Sequence, residues 1–392
     1  MRSSDLSRVF VAKGVRVFYS GLLSLLIPLY LNALGYSDYF FGLVLVAILA
    51  GNVISNLALA YLEPRIGRRR LLLSFSLLMV PSGLLLAFTS NSALILLACV
   101  IGNISTTGTE AGPFQSIEAG VLPELAGGGE VVAAFGRYNM IGYAATAFGA
   151  FAAGAPGILP GGLAVYSVLF AGFAGVGLLL FGLYGTLEGM GSSKAEPRPG
   201  LDVLGGTARR DLTRLSALFS LDAFGGSFVS TYVLSSWFLL VYKVPPLGLA
   251  GIFTTTSVLV VVSIYAAALV AKRLGNLRTM VYTHLGSSVF LIAIPLAGSL
   301  TGALVFLFLR QSMSQMDVPT RQALMAEMFG KDERVSAYAV TNTARSLAAF
   351  AGSPVSAVML GLGLLSGPLF TGGFSKIVYD LLVFGAYRKR FR

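Results

Sequence analysis

Six ionisable residues stand inside long apolar runs of this chain: Arg16, Glu110, Asp222, Arg310, Asp317 and Arg345. A charge in a lipid-spanning helix costs about 2.5–3.5 kcal/mol on insertion scales, so each is a candidate for a substrate or ion pathway. Arg310, Ser314, Asp317 and Arg321 follow one another at spacings of four, three and four. On a continuous helix they form one polar stripe, with Val305, Phe308 and Met316 on the other side. Thr106 and Glu110 share a face one turn before Pro113, and Asp222 precedes Gly225-Gly226, where a second helix or a ligand can approach closely. The competing reading of each acid is a permanent ion pair used for assembly, and Glu118, placed nearer the inner surface, is assigned that structural role. Lys376 and Asp380, four apart, are read as a self-neutralising pair, and His284, the one histidine, as a structural hydrogen-bonder. Tyr19 and Tyr30 are candidates for stacking on a solute, and Tyr232, Trp237 and Tyr242 for an interfacial belt.

The elements that must position these groups are membrane helices. Of 392 residues, 55% are hydrophobic and only 11% charged, far below the roughly 25% charged residues of a soluble domain. Mean hydropathy is +0.80. One Cys and one His exclude a disulfide framework, a Cys-rich metal site and a His-His motif, and no cofactor or resident metal is expected. About twelve apolar runs are long enough to span a bilayer: 9–34, 39–62, 71–89, 93–117, 131–154, 163–185, 214–240, 247–271, 279–299, 302–326, 334–361 and 367–387. They are continuous rather than alternating, which excludes a transmembrane barrel. The expected fold is therefore an all-α membrane protein of twelve transmembrane helices.

Lys and Arg concentrate on one side of these spans. Arg65, Arg68, Arg69, Arg70, Arg209, Arg210, Lys272, Arg273, Arg388 and Lys389 fall on the side of the N-terminus, as do Arg8 and Lys13, whereas the opposite loops hold only Lys243. The positive-inside rule then places both termini in the cytoplasm of a multi-pass plasma-membrane protein and accounts for the net charge of +11 without nucleic acid. Residues 186–213, rich in Gly, Ser, Pro and Arg, read as a cytoplasmic linker between bundles 1–185 and 214–392.

The halves repeat weakly. Gly67 in Pro64-Arg65-Ile66-Gly67-Arg68-Arg69-Arg70 and Gly275 in Lys272-Arg273-Leu274-Gly275-Asn276-Leu277-Arg278 lie 208 positions apart, and Pro113 and Pro319 lie 206 apart. Duplicated halves are common in secondary transporters, with the site between them. Six spans plus six, a basic inner linker and a Gly-Arg-Arg turn after span two resemble the major facilitator superfamily, across almost the whole chain. The family's inner-loop signature is G-x-x-x-D-[RK]-x-G-[RK]-[RK]. Arg65, Gly67, Arg68 and Arg69 match it, Ala60 and Pro64 replace its first Gly and its Asp, and Glu63 supplies the acid one position early. The resemblance implies that this loop gates the halves. It also implies two pseudo-symmetric six-helix bundles whose spans one, four, seven and ten line a central cavity. The stretches Gly112 to Glu118, Met316 to Gln322 and Lys376 to Asp380 resemble a prokaryotic permease subgroup, whereas Gly154-Ala155-Pro156 interrupts the drug-antiporter pattern of span five.

These readings give a monomeric secondary transporter of a small solute, working by alternating access, coupled to protons and tilted toward efflux of amphipathic compounds. Asp222 or Glu110 is the expected protonation site, and Arg310 or Arg345 its partner. Uptake or uniport of an organic anion is the alternative, because three cavity cations (Arg16, Arg310, Arg345) balance three acids (Glu110, Asp222, Asp317). A channel or a receptor that has lost transport is the non-carrier alternative. No G-x-x-x-x-G-K-[ST], H-E-x-x-H or G-x-S-x-G occurs, so neither ATP hydrolysis nor enzymatic catalysis is expected.

Overall fold

The computed structural model describes residues 2–107, 112–126, 131–187, 206–329 and 331–390. Glu110 and most of the expected linker, 188–205, lie outside them. All regular structure among the described residues is helical. The helices are α1 (Arg2–Ala33), α2 (Asp38–Ile66), α3 (Arg68–Phe88), α4 (Ser92–Ile101), α5 (Pro113–Ala126), α6 (Val131–Ala152), α7 (Leu163–Gly185), α8 (Gly206–Ser227), α9 (Thr231–Tyr242), α10 (Pro246–Leu274), α11 (Asn276–Leu296), α12 (Leu300–Met313), α13 (Asp317–Met328), α14 (Lys331–Gly361) and α15 (Gly367–Tyr387). Among the described residues, eight helical segments are long and apolar enough to cross a bilayer.

Three of the spans expected to be continuous are broken. Span four divides into α4 and α5 after Gly102, span seven into α8 and α9 around Ser230, and span ten into α12 and α13 at residues 314–316. The starts of the pieces are capped from within: Asn91 accepts from the amides of Ala93 and Leu94, Ser230 from that of Val233 and Ser299 from that of Gly302. Each cap satisfies an amide that a helix start leaves open.

Contacts divide the chain into two units. The first holds Met1–Lys194, Ser230–Thr254 and Gly361–Gly363, and the second Ala195–Val229, Thr255–Leu360 and Leu364–Arg392. In the first, α1 packs on α6 and α3 on α7 through glycines that bring backbones together. A Cβ on Gly149 would strike the carbonyl of Phe18, and one on Gly177 would sit 2.8 Å from that of Ser76. Small residues are how membrane helices gain close packing where no hydrophobic drive separates them from lipid. In the second, α8 meets α15 through Gly225 and Gly372, each of which would place a Cβ within 3.2 Å of the other's carbonyl oxygen. Phe219, Met280, Leu324, Tyr379 and Val383 form a buried apolar cluster in this unit.

Several expectations are corrected here. Trp237 and Tyr232 are 1% and 0% exposed rather than interfacial. Tyr232 donates from its hydroxyl to Phe41 O at 2.9 Å and from its amide to Thr106 O at 2.9 Å, within the first unit. Tyr30 is core: it donates to Thr89 O at 2.8 Å and packs edge-on against Phe170. Lys13, counted among the flanking charges, is buried inside α1 with its ammonium 4.3 Å from the centroid of the Tyr138 ring. Met316, expected on the side away from the polar stripe, is buried at the turn between α12 and α13.

Candidate functional site

The second unit carries a charged network centred on Asp222, in the buried stretch of α8. One carboxylate serves four donors. Lys376 Nζ donates to Oδ1 at 2.9 Å, and His284 Nε2 lies 3.3 Å from the same oxygen. Arg345 donates to Oδ2 at 2.8 Å, and Arg321 reaches Oδ2 at 3.4 Å. Arg321 also donates to Asp317 at 2.9 Å, four residues earlier on α13. His284 Nδ1 lies 2.9 Å from Asp380 Oδ1, while its Nε2 lies 3.0 Å from Lys376 Nζ. Three acids (Asp222, Asp317, Asp380) therefore face three fixed cations (Arg321, Arg345, Lys376) and one imidazole. The arrangement is local in origin. The glycine pair after Asp222 lets α15 come close enough for Lys376 to reach back: a Cβ on Gly226 would lie 3.7 Å from Lys376 Nζ.

The imidazole holds two mutually exclusive bonding patterns. A neutral ring with its proton on Nδ1 donates to Asp380 and accepts from the Lys376 ammonium at Nε2. A doubly protonated ring donates from Nε2 to Asp222 and can no longer accept from Lys376. One proton thus gives Asp222 a further donor and takes from Lys376 its acceptor on the ring.

The donor set does not fit a metal. Ligand atoms of Asp222, His284 and Asp317 lie within 4.8 Å of one another. Both carboxylates, however, already accept from arginine, and Lys376 stands against the ring nitrogen. A divalent cation would add charge where three cations already converge.

The remaining candidates disperse. Arg16 belongs to a closed network in the first unit: it donates to both oxygens of Glu118, at 3.0 and 2.6 Å, and to the hydroxyl of Tyr184. Tyr138 and Tyr184 donate to the same carboxylate at 2.8 and 2.6 Å. Glu118 is fully buried and forms the structural ion pair expected of it. Tyr19 is half-buried, tilted on Phe173 at 5.8 Å. The polar stripe of span ten divides at residues 314–316, where α12 gives way to α13. Arg310 donates to Gln311 Oε1 at 2.6 Å and Ser314 donates to the same oxygen at 3.1 Å, whereas Asp317 and Arg321 join the Asp222 network. Lys376 and Asp380 do not pair; His284 stands between them.

In the loop after α2, Arg68 Nε donates to Glu63 at 2.7 Å, Arg65 stacks its guanidinium 3.7 Å over the Tyr61 ring, and Arg69 donates to Gly185 O. Gly67 has φ +83° and ψ 157°, and Gly275, its repeat, has φ +80° and ψ 161°. A side chain strains at such angles, so the repeat extends to backbone conformation.

Residues 9–353 match the model of the Major Facilitator Superfamily. The chain belongs to that family. It is a multi-pass membrane protein with the twelve-helix fold, a transporter and not an enzyme. An uncharacterized membrane protein of Saccharomyces cerevisiae, YJR124C, is 25% identical over 97% of this chain and 93% of its own length. A D-xylose-proton symporter structure superposes with a TM-score of 0.74 at 15% identity, covering 98% of this chain and 97% of that one. A peptide transporter of the POT family in an auto-inhibited state gives 0.71 at 12% identity, covering 99% and 97%. The latter two likenesses establish the fold.

Proposed function

We propose that this member of the family is a proton-coupled carrier of the plasma membrane, with both termini cytoplasmic, working by alternating access, and that Asp222 is its coupling acid. The observation that carries this reading is the sharing of one buried carboxylate among Arg345, Arg321, Lys376 and His284. A proton on Asp222 removes the charge that holds these cations, and a proton on His284 takes from Lys376 the ring nitrogen it donates to. Either event frees a cation for the solute or for rearrangement of the helices, so proton and solute compete for one interaction. Arg345, with its side chain 24% exposed, is the switchable partner, since it can exchange Asp222 for water or solute. Arg310 does not contact Asp222, and it is no longer proposed as that partner. One charge crossing about 100 mV yields roughly 2.3 kcal/mol, enough for about fifty-fold accumulation or expulsion. The balanced network favours neither an organic anion nor an organic cation, and the direction we infer is export of amphipathic compounds. A protein that shares this fold is a D-xylose-proton symporter, which supports the proton coupling proposed here.

The test uses the purified full-length protein. A thermal-shift screen against a solute library identifies a ligand, and proteoliposomes then measure its flux. A pH gradient should drive uphill flux in the native protein, and Asp222→Asn should abolish it while downhill exchange persists. Full pH-driven accumulation in Asp222→Asn would mean that Asp222 is not the coupling acid, and absence of pH-driven uphill flux in the native protein would make it a uniporter.

A further inference from the structure

Lys376 and Asp380 stand one turn apart on α15 and close on the two nitrogens of His284 from α11. Nδ1 lies 2.9 and 3.0 Å from the two oxygens of Asp380, and Nε2 lies 3.0 Å from Lys376 Nζ. Gly373 sets the close approach of these helices, since a Cβ there would strike Ile292 and lie 3.3 Å from the Ser288 carbonyl oxygen. His284 is 3% exposed and Asp380 0%, and the Tyr379 ring stands edge-on to the imidazole at 5.6 Å. From α8, Asp222 faces Nε2 at 3.3 Å. From α13, Asp317 comes within 4.8 Å of the same group, and Arg321 bridges it to Asp222. Arg345 of α14 holds the other oxygen of Asp222.

A neutral imidazole carries one proton, and the bonds made at its two nitrogens decide where that proton sits. An ionised carboxylate only accepts, and an ammonium only donates. Asp380 therefore calls for a proton on Nδ1, and Lys376 calls for a lone pair on Nε2. The other tautomer would turn a lone pair toward a carboxylate and an N–H toward an ammonium, so both contacts reject it. Side chains four apart share one face of a helix, and here that spacing matches an acceptor and a donor to the two nitrogens of one ring. The two holds differ in permanence. Lys376 also donates to Asp222 at 2.9 Å, whereas both oxygens of Asp380 are turned to Nδ1.

From this geometry we propose that Asp380 is a positioning residue of the coupling site: it keeps the first ring proton of His284 on Nδ1, so that Nε2, beside Asp222, is the nitrogen at which the ring gains and loses a second one. A proton arriving from water forms the Nε2–H bond while the Nδ1–H bond stays. On release the Nε2–H bond breaks and the proton returns to water. Every such event is then read at Asp222 and Lys376, because Nδ1 takes no part in it. Asp380 also gives the imidazolium a second counter-charge, across the ring from Asp222. The inference rests on the reading of Asp222 as the coupling acid and adds the atom beside it at which a proton acts.

The test uses the chain's single histidine. Full-length protein, purified without a histidine tag, labelled with nitrogen-15 histidine and placed in lipid bilayers, gives one imidazole in solid-state NMR. Its two nitrogen signals report tautomer and protonation as pH is varied. The native ring should be neutral with its proton on Nδ1 at high pH and become doubly protonated as pH falls. Asp380→Leu removes both acceptor and charge and should admit the Nε2–H tautomer. Asp380→Asn keeps an acceptor and loses only the charge. It should keep the Nδ1–H tautomer, while the midpoint of ring protonation, and with it the pH dependence of uphill flux, moves to lower pH by about one unit or more. Asp380→Glu should restore both toward native, and Asp222→Asn should leave the tautomer as it is. A native ring that is neutral on Nε2–H, or one that never changes protonation while the protein is folded, overturns the proposal without any variant, and so does a tautomer unaltered in Asp380→Leu. If the native ring behaves as expected but a pH gradient drives no uphill flux, the coupling reading fails and the placement of the ring proton by Asp380 stands.

Discussion

Two buried charged networks, one in each unit, occupy related places in the repeat and are built to opposite specifications. Asp222 lies 206 positions after Arg16, the same interval that separates Pro319 from Pro113. The first position holds a cation bound by an acid from α5, Glu118. The second holds an acid bound by a cation from α13, Arg321. The first network is closed: Arg16 is 5% exposed and Glu118 0%, and both carboxylate oxygens are filled by arginine and two tyrosine hydroxyls. The second also puts four contacts on its carboxylate, but they come from four separate side chains, three of them cationic, and one of these, Arg345, is 24% exposed. A pair with one partner for every lone pair has a single low-energy arrangement. A carboxylate shared among side chains that have second partners, as Arg321 has Asp317 and His284 has Asp380, has several, and a proton or a solute selects among them. The difference separates a structural ion pair from a switchable one, although both look alike as charges in an apolar run.

The largest effect should come from breaking the closed network. Glu118→Ala leaves Arg16 buried without its counter-charge, and about 3–5 kcal/mol of stability should be lost, seen as a fall in melting temperature and in folded yield. Replacing both partners at once, Arg16→Met with Glu118→Leu, should recover most of that loss, because two buried charges are removed together. If the double variant is as unstable as the single one, Arg16 has a role beyond pairing.

Asp222→Asn should cost less stability than Glu118→Ala, about 1–3 kcal/mol, because Arg321 keeps Asp317, His284 keeps Asp380 and Arg345 can turn to water. Its main consequence should be the loss of uphill flux in proteoliposomes. A collapse in stability equal to that of Glu118→Ala would erase the distinction between the two networks.

A finer cut is Arg345 alone. Arg345→Met should lower pH-driven accumulation several-fold while leaving the melting temperature nearly unchanged, and Arg345→Lys should restore part of the accumulation. Equal behaviour of the two variants would mean that shape rather than charge matters at this position.

Smallest of all is the loop after α2. The Glu63–Arg68 pair is partly exposed, at 36% and 13%, so Arg68→Ala should change stability by about 0.2–1 kcal/mol. Its effect on exchange rate should exceed its effect on melting temperature if the loop gates movement, and both should be negligible if it does not.

The amino-acid sequence alone determined the fold class. Apolar runs of spanning length, one-sided Lys and Arg, and the Gly67 and Gly275 turns are local or periodic features, and they survive into the structure because a bilayer leaves a continuous apolar segment no alternative to a helix. Sequence also marked Asp222, Arg345 and Asp317, because a charge in an apolar run is legible one residue at a time. The partners of those charges were decided by tertiary structure. His284 stood out only as a lone histidine, and Lys376 and Asp380 looked like a local pair, until α15 and α11 converged on Asp222 across 154 and 62 residues of chain. Glu118 and Tyr184 meet Arg16 across similar distances. The helix breaks escaped as well: hydropathy averages over a turn or more, while the interruptions at Asn103, Ser230 and Ser314 span a few residues and leave the local composition apolar. Composition and periodicity are sums over neighbours in the chain. Pairing is a property of neighbours in space, and only packing of the helices assigns it.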